Sequence, residues 1–189
     1  MIVNLLNPLF ACFSFVSLQV VIVDPTAGFV TGGGWIVSPP NAMGDNFSFS
    51  GADTASFGFV SKYKKGQSVP TGETRFVFTA GGLNFDSTSL EWLVITGSDC
   101  AKYKGLGTVN GNAGFGFMLT ACDVAEPGSG ADTFRIKIWD TSDGDAVVYD
   151  NQVGESDDSY TGTVIGGGNI QIKQPKKGGK GKIRSLRAI

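Results

Sequence analysis

Three carboxylates fall within six residues at Asp140, Asp143 and Asp145, with Gly144 between the last two. Close-set Asp with a Gly at the bend is how a loop offers several oxygen ligands to a hard cation such as Ca2+. The spacing is not that of an EF-hand loop, and no Glu stands where that loop places its bidentate ligand. Asp and Gly are also the residues of any tight turn. A structural turn and a Ca2+ site therefore both stand as readings of Asp140–Asp145, and no other cofactor is expected. A second acidic loop, Glu155 with Asp157 and Asp158, is a weaker version of the same pattern.

Aromatic residues beside polar ones are the other chemistry on offer. Trp35, Trp92, Trp139, Tyr63, Tyr103 and Tyr149 could stack on sugars, although rings in sheets mostly go to the core. Trp139 is the exception: it alternates with Phe134, Ile136 and Ile138 and shares a face with Arg135 and Lys137, which predicts exposure. Lys62, Tyr63, Lys64 and Lys65 interleave a ring with cations, a pattern suited to an anionic polymer. Trp139, Tyr63, Lys62 and Lys64 are thus the candidate ligand surface. Catalysis finds less support. The chain has no His, which removes the usual general base, the Ser-His-Asp and Cys-His arrangements and every His-containing zinc site. Its Glu residues, at 73, 91, 126 and 155, suggest no facing pair of the kind a glycosidase needs. The expectation is a protein that is not an enzyme.

These residues must be positioned by strands. Gly numbers 28 and Phe 14, while charged residues make up only 17 % of 189 positions, a balance that favours strands and turns over helices. The stretch Asp132–Asn151 reads as a hairpin: a period-two run, the polar knot 140–145, then the β-branched run from Ala146. Short strands separated by turn residues are predicted at 29–37, 55–61, 74–79, 83–86, 89–96, 101–109, 114–122 and 164–172. About ten strands with no amphipathic helix predict one all-β domain over 24–172, a single antiparallel β-sandwich of jelly-roll type, with a closed β-barrel as the alternative. Gly32, Gly33 and Gly34 leave the first strand bare, which calls for a bulge or a close neighbour.

One hairpin sets its own register. With a three-residue loop at Asn110–Asn112, paired numbers sum to 222, so Phe117 covers Gly105, Phe115 covers Gly107 and Tyr103 faces Leu119. Cys100 then lies opposite Cys122, and a disulfide is predicted, worth roughly 3 kcal/mol by chain entropy. A disulfide places the chain in an oxidising compartment, extracellular or at the cell surface.

The ends differ from the middle. Residues 1–23 form an apolar leader whose stretch 2–23 carries no charge, read either as a signal peptide or as the remnant of an upstream domain after a late start; Asn7, Pro8 and Gln19 argue against a membrane span. From 21 to 172 there are 8 basic and 17 acidic residues; from 173 to 189 there are 7 basic and none acidic. That basic tail is expected to be disordered, and no nucleic acid partner is expected. Asn46-Phe47-Ser48 is a lone glycosylation sequon.

Segments of the chain resemble the post-COAP domain family, found near the ends of long secreted and surface-associated bacterial proteins. They are DPTAGFVTGGGWI (24–36), ASFGFVSKYKKGQSVPTGETRFVF (55–78), LNFDSTSLEWLVI (83–95), AKYKGLGTVNG (101–111), FGFMLTACD (115–123), DTFRIKIWD (132–140), VVYDNQ (147–152) and IGGGNIQI (165–172). Asp86 stands where the family pattern has His, the segment 39–43 is unusual for it, and the cysteine pair is not a family feature. The resemblance implies no catalytic residues. It implies a non-catalytic extracellular module, a binding, adhesion or spacer domain joined to upstream domains of a surface protein, with an extracellular glycan or protein as partner. A carbohydrate-binding module accompanying an enzyme is the alternative.

Overall fold

The chain folds into ten strands: β1 (Phe29–Ser38), β2 (Asp53–Lys62), β3 (Thr71–Phe78), β4 (Leu83–Thr96), β5 (Cys100–Val109), β6 (Asn112–Cys122), β7 (Thr133–Asp140), β8 (Ala146–Asp150), β9 (Thr163–Val164) and β10 (Gly167–Lys173). The structure is a computed structural model that describes residues 28–45, 49–97, 99–124 and 131–173. The apolar leader, the sequon and the tail beyond Lys173 lie outside the described residues. Every pairing is antiparallel, in one sheet of order β10-β1-β2-β3-β4-β5-β6-β7-β8 with β9 added to β7. From β1 to β8, neighbours in space are neighbours in sequence, so the sheet is a meander without the crossing connections of a jelly roll. The sheet is not closed, which sets aside the barrel and leaves a sandwich made by folding one sheet over itself.

Aromatic rings join the two halves. Phe57 of β2 stacks on Phe134 of β7 with centroids 4.0 Å apart, and Phe76 of β3 packs on Tyr149 of β8 at 4.7 Å. Each fully buried ring contributes roughly 1.5–3 kcal/mol of transfer free energy. Period two delivers them: Phe57 and Phe59, Phe76 and Phe78, and Phe134, Ile136 and Ile138 all face inward and are buried. Two tyrosines inside the core keep a partner for each hydroxyl, Tyr103 with Thr74 at 2.6 Å and Tyr149 with Ser38 at 2.9 Å.

Gly32 and Gly34 meet the close neighbours their sequence called for. A Cβ on Gly32 would lie 2.7 Å from the Phe59 ring, and one on Gly34 would lie 2.1 Å from the carbonyl oxygen of Gly167. Both outer edges of the sheet are partly occupied. The carbonyls of Ala42 and Val148 and the amides of Asp150 and Gly44 pair the segment 42–44 to β8. On the far side of β10, the amides of Ile170 and Ile172 donate to the carboxylates of Asp132 (2.8 Å) and Asp123 (3.1 Å). Open edges invite pairing with other chains, and these contacts take up part of each edge.

Three local expectations are corrected. The 83–86 and 89–96 runs are one strand, β4, whose register shifts at Ser87/Ser89 and Leu90/Trp92 absorb the break in alternation. The run 164–172 is two strands: β9 pairs with β7, the chain crosses at Ile165 and Gly166, and β10 pairs with β1. The loop at 110–112 is a two-residue turn, because Val109 pairs with Asn112. Asn110 (φ 51°) and Gly111 (φ 82°) both take the left-handed conformation that a type I′ turn needs. A register shift after Gly107, with Gly114 at φ 101°, then restores the sum of 222. Gly105 faces Phe117, Gly107 faces Phe115, Tyr103 faces Leu119 and Cys100 faces Cys122, as the sequence predicts.

Candidate functional site

All three tryptophans lie outside the buried core, whereas Tyr103 and Tyr149 are completely inside it. A ring of that size kept out of the core needs a local reason. For Trp92 and Trp139 the reason is a groove on the outer face of β4–β7, with a volume of about 840 Å3, inside the ~300–1,000 Å3 range of ligand clefts.

The cross-strand ladder builds the floor. Trp92, Lys104, Met118 and Lys137 form one row across β4, β5, β6 and β7; Leu106, Gly116 and Trp139 form the next. Met118 is buried in the floor, although it sits on the face away from the core. Trp139 lies flat because Gly116 has no side chain: a Cβ there would be 2.4 Å from Cε2 and 2.5 Å from Nε1 of the indole. The ε-ammonium of Lys104 stands 5.5 Å from the Trp139 ring centre and 3.7 Å from a Glu91 carboxylate oxygen. Trp92 reaches the outer face through the Leu90/Trp92 bulge, which lets both Leu90 and Leu93 stay buried on either side of it.

The loop 152–161 makes one wall, and a buried cation holds it. Arg135 is only 2 % exposed. Its Nε and Nη2 donate to both oxygens of the buried Asp150 at 3.0 and 2.8 Å. Nη1 donates to the Ser156 carbonyl at 2.9 Å, and Nη2 to the Glu155 carbonyl at 3.0 Å. Arg135 stands on the outer face of its strand, and the loop folds over that face and buries it. Lys137 donates to both Asp157 oxygens at 2.8 and 3.0 Å. Lys102, also buried, donates to the carbonyls of Asp157 and Ser159 and lies 4.5 Å from the centre of the Tyr160 ring. Burial pushes the Lys102 ammonium below its ordinary value, and Asp158 partly offsets this. Tyr160 in turn shares a 2.6 Å hydrogen bond with Thr96 Oγ1 on β4. The wall is thus tied to the sheet at both ends.

The disulfide Cys100–Cys122 is formed, with Cα atoms 4.1 Å apart. Asp123 N donates to Asp99 O in the adjacent pair, so the cysteines occupy a non-hydrogen-bonded site, where opposed residues come closest. Cys122 Sγ lies 3.8 Å from the Tyr160 carbonyl oxygen, which sets the crosslink against the groove wall.

Of the residues proposed from sequence, Trp139 lines the groove, and Asp145 lies at its rim. Tyr63, Lys62 and Lys64 do not line it. The Tyr63 hydroxyl is engaged by the Leu93 backbone, donating to its carbonyl at 3.2 Å and accepting from its amide at 3.0 Å, and burial pushes its pKa up. Asp140, Asp143 and Asp145 form a turn. Asp140 Oδ1 accepts from the amide (2.8 Å) and hydroxyl (2.6 Å) of Ser142, which holds its carboxyl below the usual range. Gly144 and Asp145 follow in left-handed conformation at φ 57° and 62°. Among the described residues, no three His, Cys, Asp or Glu side chains gather in a group that could hold a metal ion. Among the described residues no helix is long and apolar enough to cross a membrane. Sequence reasoning weighed Trp92 as core and passed over Tyr160 and Lys104. Leucines at both 90 and 93, three apart in a strand, were the signal that β4 must bulge.

The chain matches no family model, no curated protein and no solved structure.

Proposed function

We propose that the chain is a non-catalytic extracellular binding module, an accessory domain of the post-COAP kind within a larger secreted or surface protein, and that the outer face of β4–β7 is its binding face. The observation that carries this reading is the pair of tryptophans, Trp92 and Trp139, left out of the core to line one groove. The groove is concave, part apolar and part polar, and its wall is fixed by buried charge. A preformed, rigid surface binds without paying for order at the moment of contact. The disulfide beside the wall supports an oxidising location. The resemblance of segments along 24–172 to post-COAP domains supports an accessory role. A spacer without a ligand needs no groove, so binding is favoured over it.

The location is tested by fractionating the source cells and blocking free thiols with a mass-adding maleimide before and after reduction. The expected result is protein in the extracellular or surface fraction, with Cys100 and Cys122 labelled only after reduction. Protein in the cytosol with both thiols labelled at once would overturn the reading.

A further inference from the structure

We infer that the groove takes a neutral oligosaccharide of pyranose rings with equatorial hydroxyls, laid across β4–β7 from Trp92 to Trp139. This rests on the reading of that face as a binding surface and goes on to name the ligand. Trp92 and Trp139 stand on strands three spacings apart, and because the Trp139 indole lies over Gly116 on β6 its ring is about two spacings from β4, roughly 10 Å at ~4.8 Å each. That is further than one sugar ring reaches, so the two indoles serve different rings of one chain. Trp139 lies flat on Gly116 and presents its outer side to the groove. A pyranose with equatorial hydroxyls has two apolar C–H faces of matching flatness, and its hydroxyls project sideways toward polar groups.

The polar groups of the groove select against charge. Its cations are Lys102, Lys104 and Lys137, and its carboxylates are Glu91, Asp145, Asp157 and Asp158. Lys102 is spent on two carbonyls, Lys137 on Asp157, and Lys104 is paired with Glu91 at 3.7 Å, so each cation of the groove already has an acceptor. An anionic glycan would meet an excess of carboxylates, and a polycation would meet Lys104 and the apolar floor. Among the described residues neither Asp145 nor Asp158 accepts a hydrogen bond through its carboxylate; Asp158 stands in the field of Lys102, and both line the groove where a hydroxyl can donate to them. Sugar hydroxyls are such donors, and a carboxylate accepts several at once. Flat apolar platforms beside carboxylate acceptors, with every cation of the groove already engaged, describe a neutral sugar chain.

Native affinity electrophoresis tests this with soluble polysaccharides cast in the gel: hydroxyethyl cellulose, mixed-linkage β-glucan and xylan as neutral probes, polygalacturonate as the anionic one. The expected result is retardation by at least one neutral polysaccharide, unchanged at raised salt, and none by polygalacturonate. Trp139→Ala and Trp92→Ala should each weaken it at least about tenfold, or ~1.4 kcal/mol, while Trp35→Ala leaves it intact. Asp158→Asn, an exposed change that cannot disturb the core, should weaken it as well and serves if a tryptophan variant folds poorly. Mobility unaffected by every neutral polysaccharide overturns the inference, as does retardation by polygalacturonate that salt abolishes, or retardation that survives both tryptophan changes. None of these outcomes alters the thiol and fractionation result, so failure of the ligand assignment is separable from failure of the module reading.

Discussion

Replacing Arg135 by Met removes the charge that ties the groove wall to the sheet and keeps most of the side-chain volume. Asp150 then stays buried, at 5 % exposure, without its counter-ion. Breaking a buried pair on one side costs about 3–5 kcal/mol, most of it from the orphaned charge. The hydrogen bonds to the carbonyls of Ser156 and Glu155 are lost too, but both residues are exposed and water replaces the donor at little net cost. The contact between Arg135 and Asp157, at 3.8 Å with Asp157 55 % exposed, adds almost nothing. For a domain of this size, ~1 kcal/mol moves Tm by about 2–4 °C, so Arg135→Met should lower it by roughly 6–20 °C. Urea unfolding should show the midpoint falling with an unchanged m-value. Limited proteolysis should find new cleavage within 152–161 at temperatures where the core is intact. Arg135→Met with Asp150→Leu should regain much of the loss, since no charge is then left buried. A single variant within ~1 kcal/mol of the parent, with the loop still protected, would show that the loop is held by something else.

Other consequences are as direct. Replacing Cys100 and Cys122 by Ala should cost about 3 kcal/mol for the 22-residue separation they close, read as a fall in urea midpoint. Burial pushes the hydroxyls of Tyr103 and Tyr149 well above the ordinary 10.0. Both should therefore stay un-ionised in alkali until the domain unfolds, and stability should be full below about pH 10 and fall above it, where only the unfolded chain ionises; ultraviolet difference titration reads this, and early ionisation of either ring would contradict it. A calcium titration followed by differential scanning fluorimetry should be flat beyond a general salt effect that magnesium matches, and Asp143→Ala should not change it. A rise in Tm specific to calcium would favour the metal reading of Asp140, Asp143 and Asp145 over the turn reading.

Legibility followed periodicity. Wherever apolar residues alternated for a whole strand, as at Phe134–Ile138, the sequence located the strand and its buried face. The Cys100–Cys122 pairing came from the same logic, although a turn of two residues plus a bulge does the work assigned to a loop of three. The errors lie where a local feature breaks the period. Two bulges in β4 hid both its length and the outward aim of Trp92. Gly166, beneath Trp35, let the last run cross from β7 to β1. The burial of Arg135 was not legible for a different reason: its strand position puts it on the outer face, and burial there depends on a loop that alternation cannot place. For that reason the groove was half visible. Trp139 stood out, but its partners come from β4, β5 and a loop 21 residues further along at Tyr160.

The central claim is that ligand meets the face bearing Trp92 and Trp139. Each tryptophan carries one indole N–H, so a nitrogen-labelled sample gives three separate side-chain signals, assignable by single Trp→Phe changes. Titrating the intact domain with oligosaccharides of the neutral polysaccharide that retards it in the gel should move the Trp92 and Trp139 signals together along one binding curve and leave Trp35, on β1, in place. A curve carried by Trp35 alone, or three unmoved indoles at saturating oligosaccharide, would contradict the assignment of the binding face.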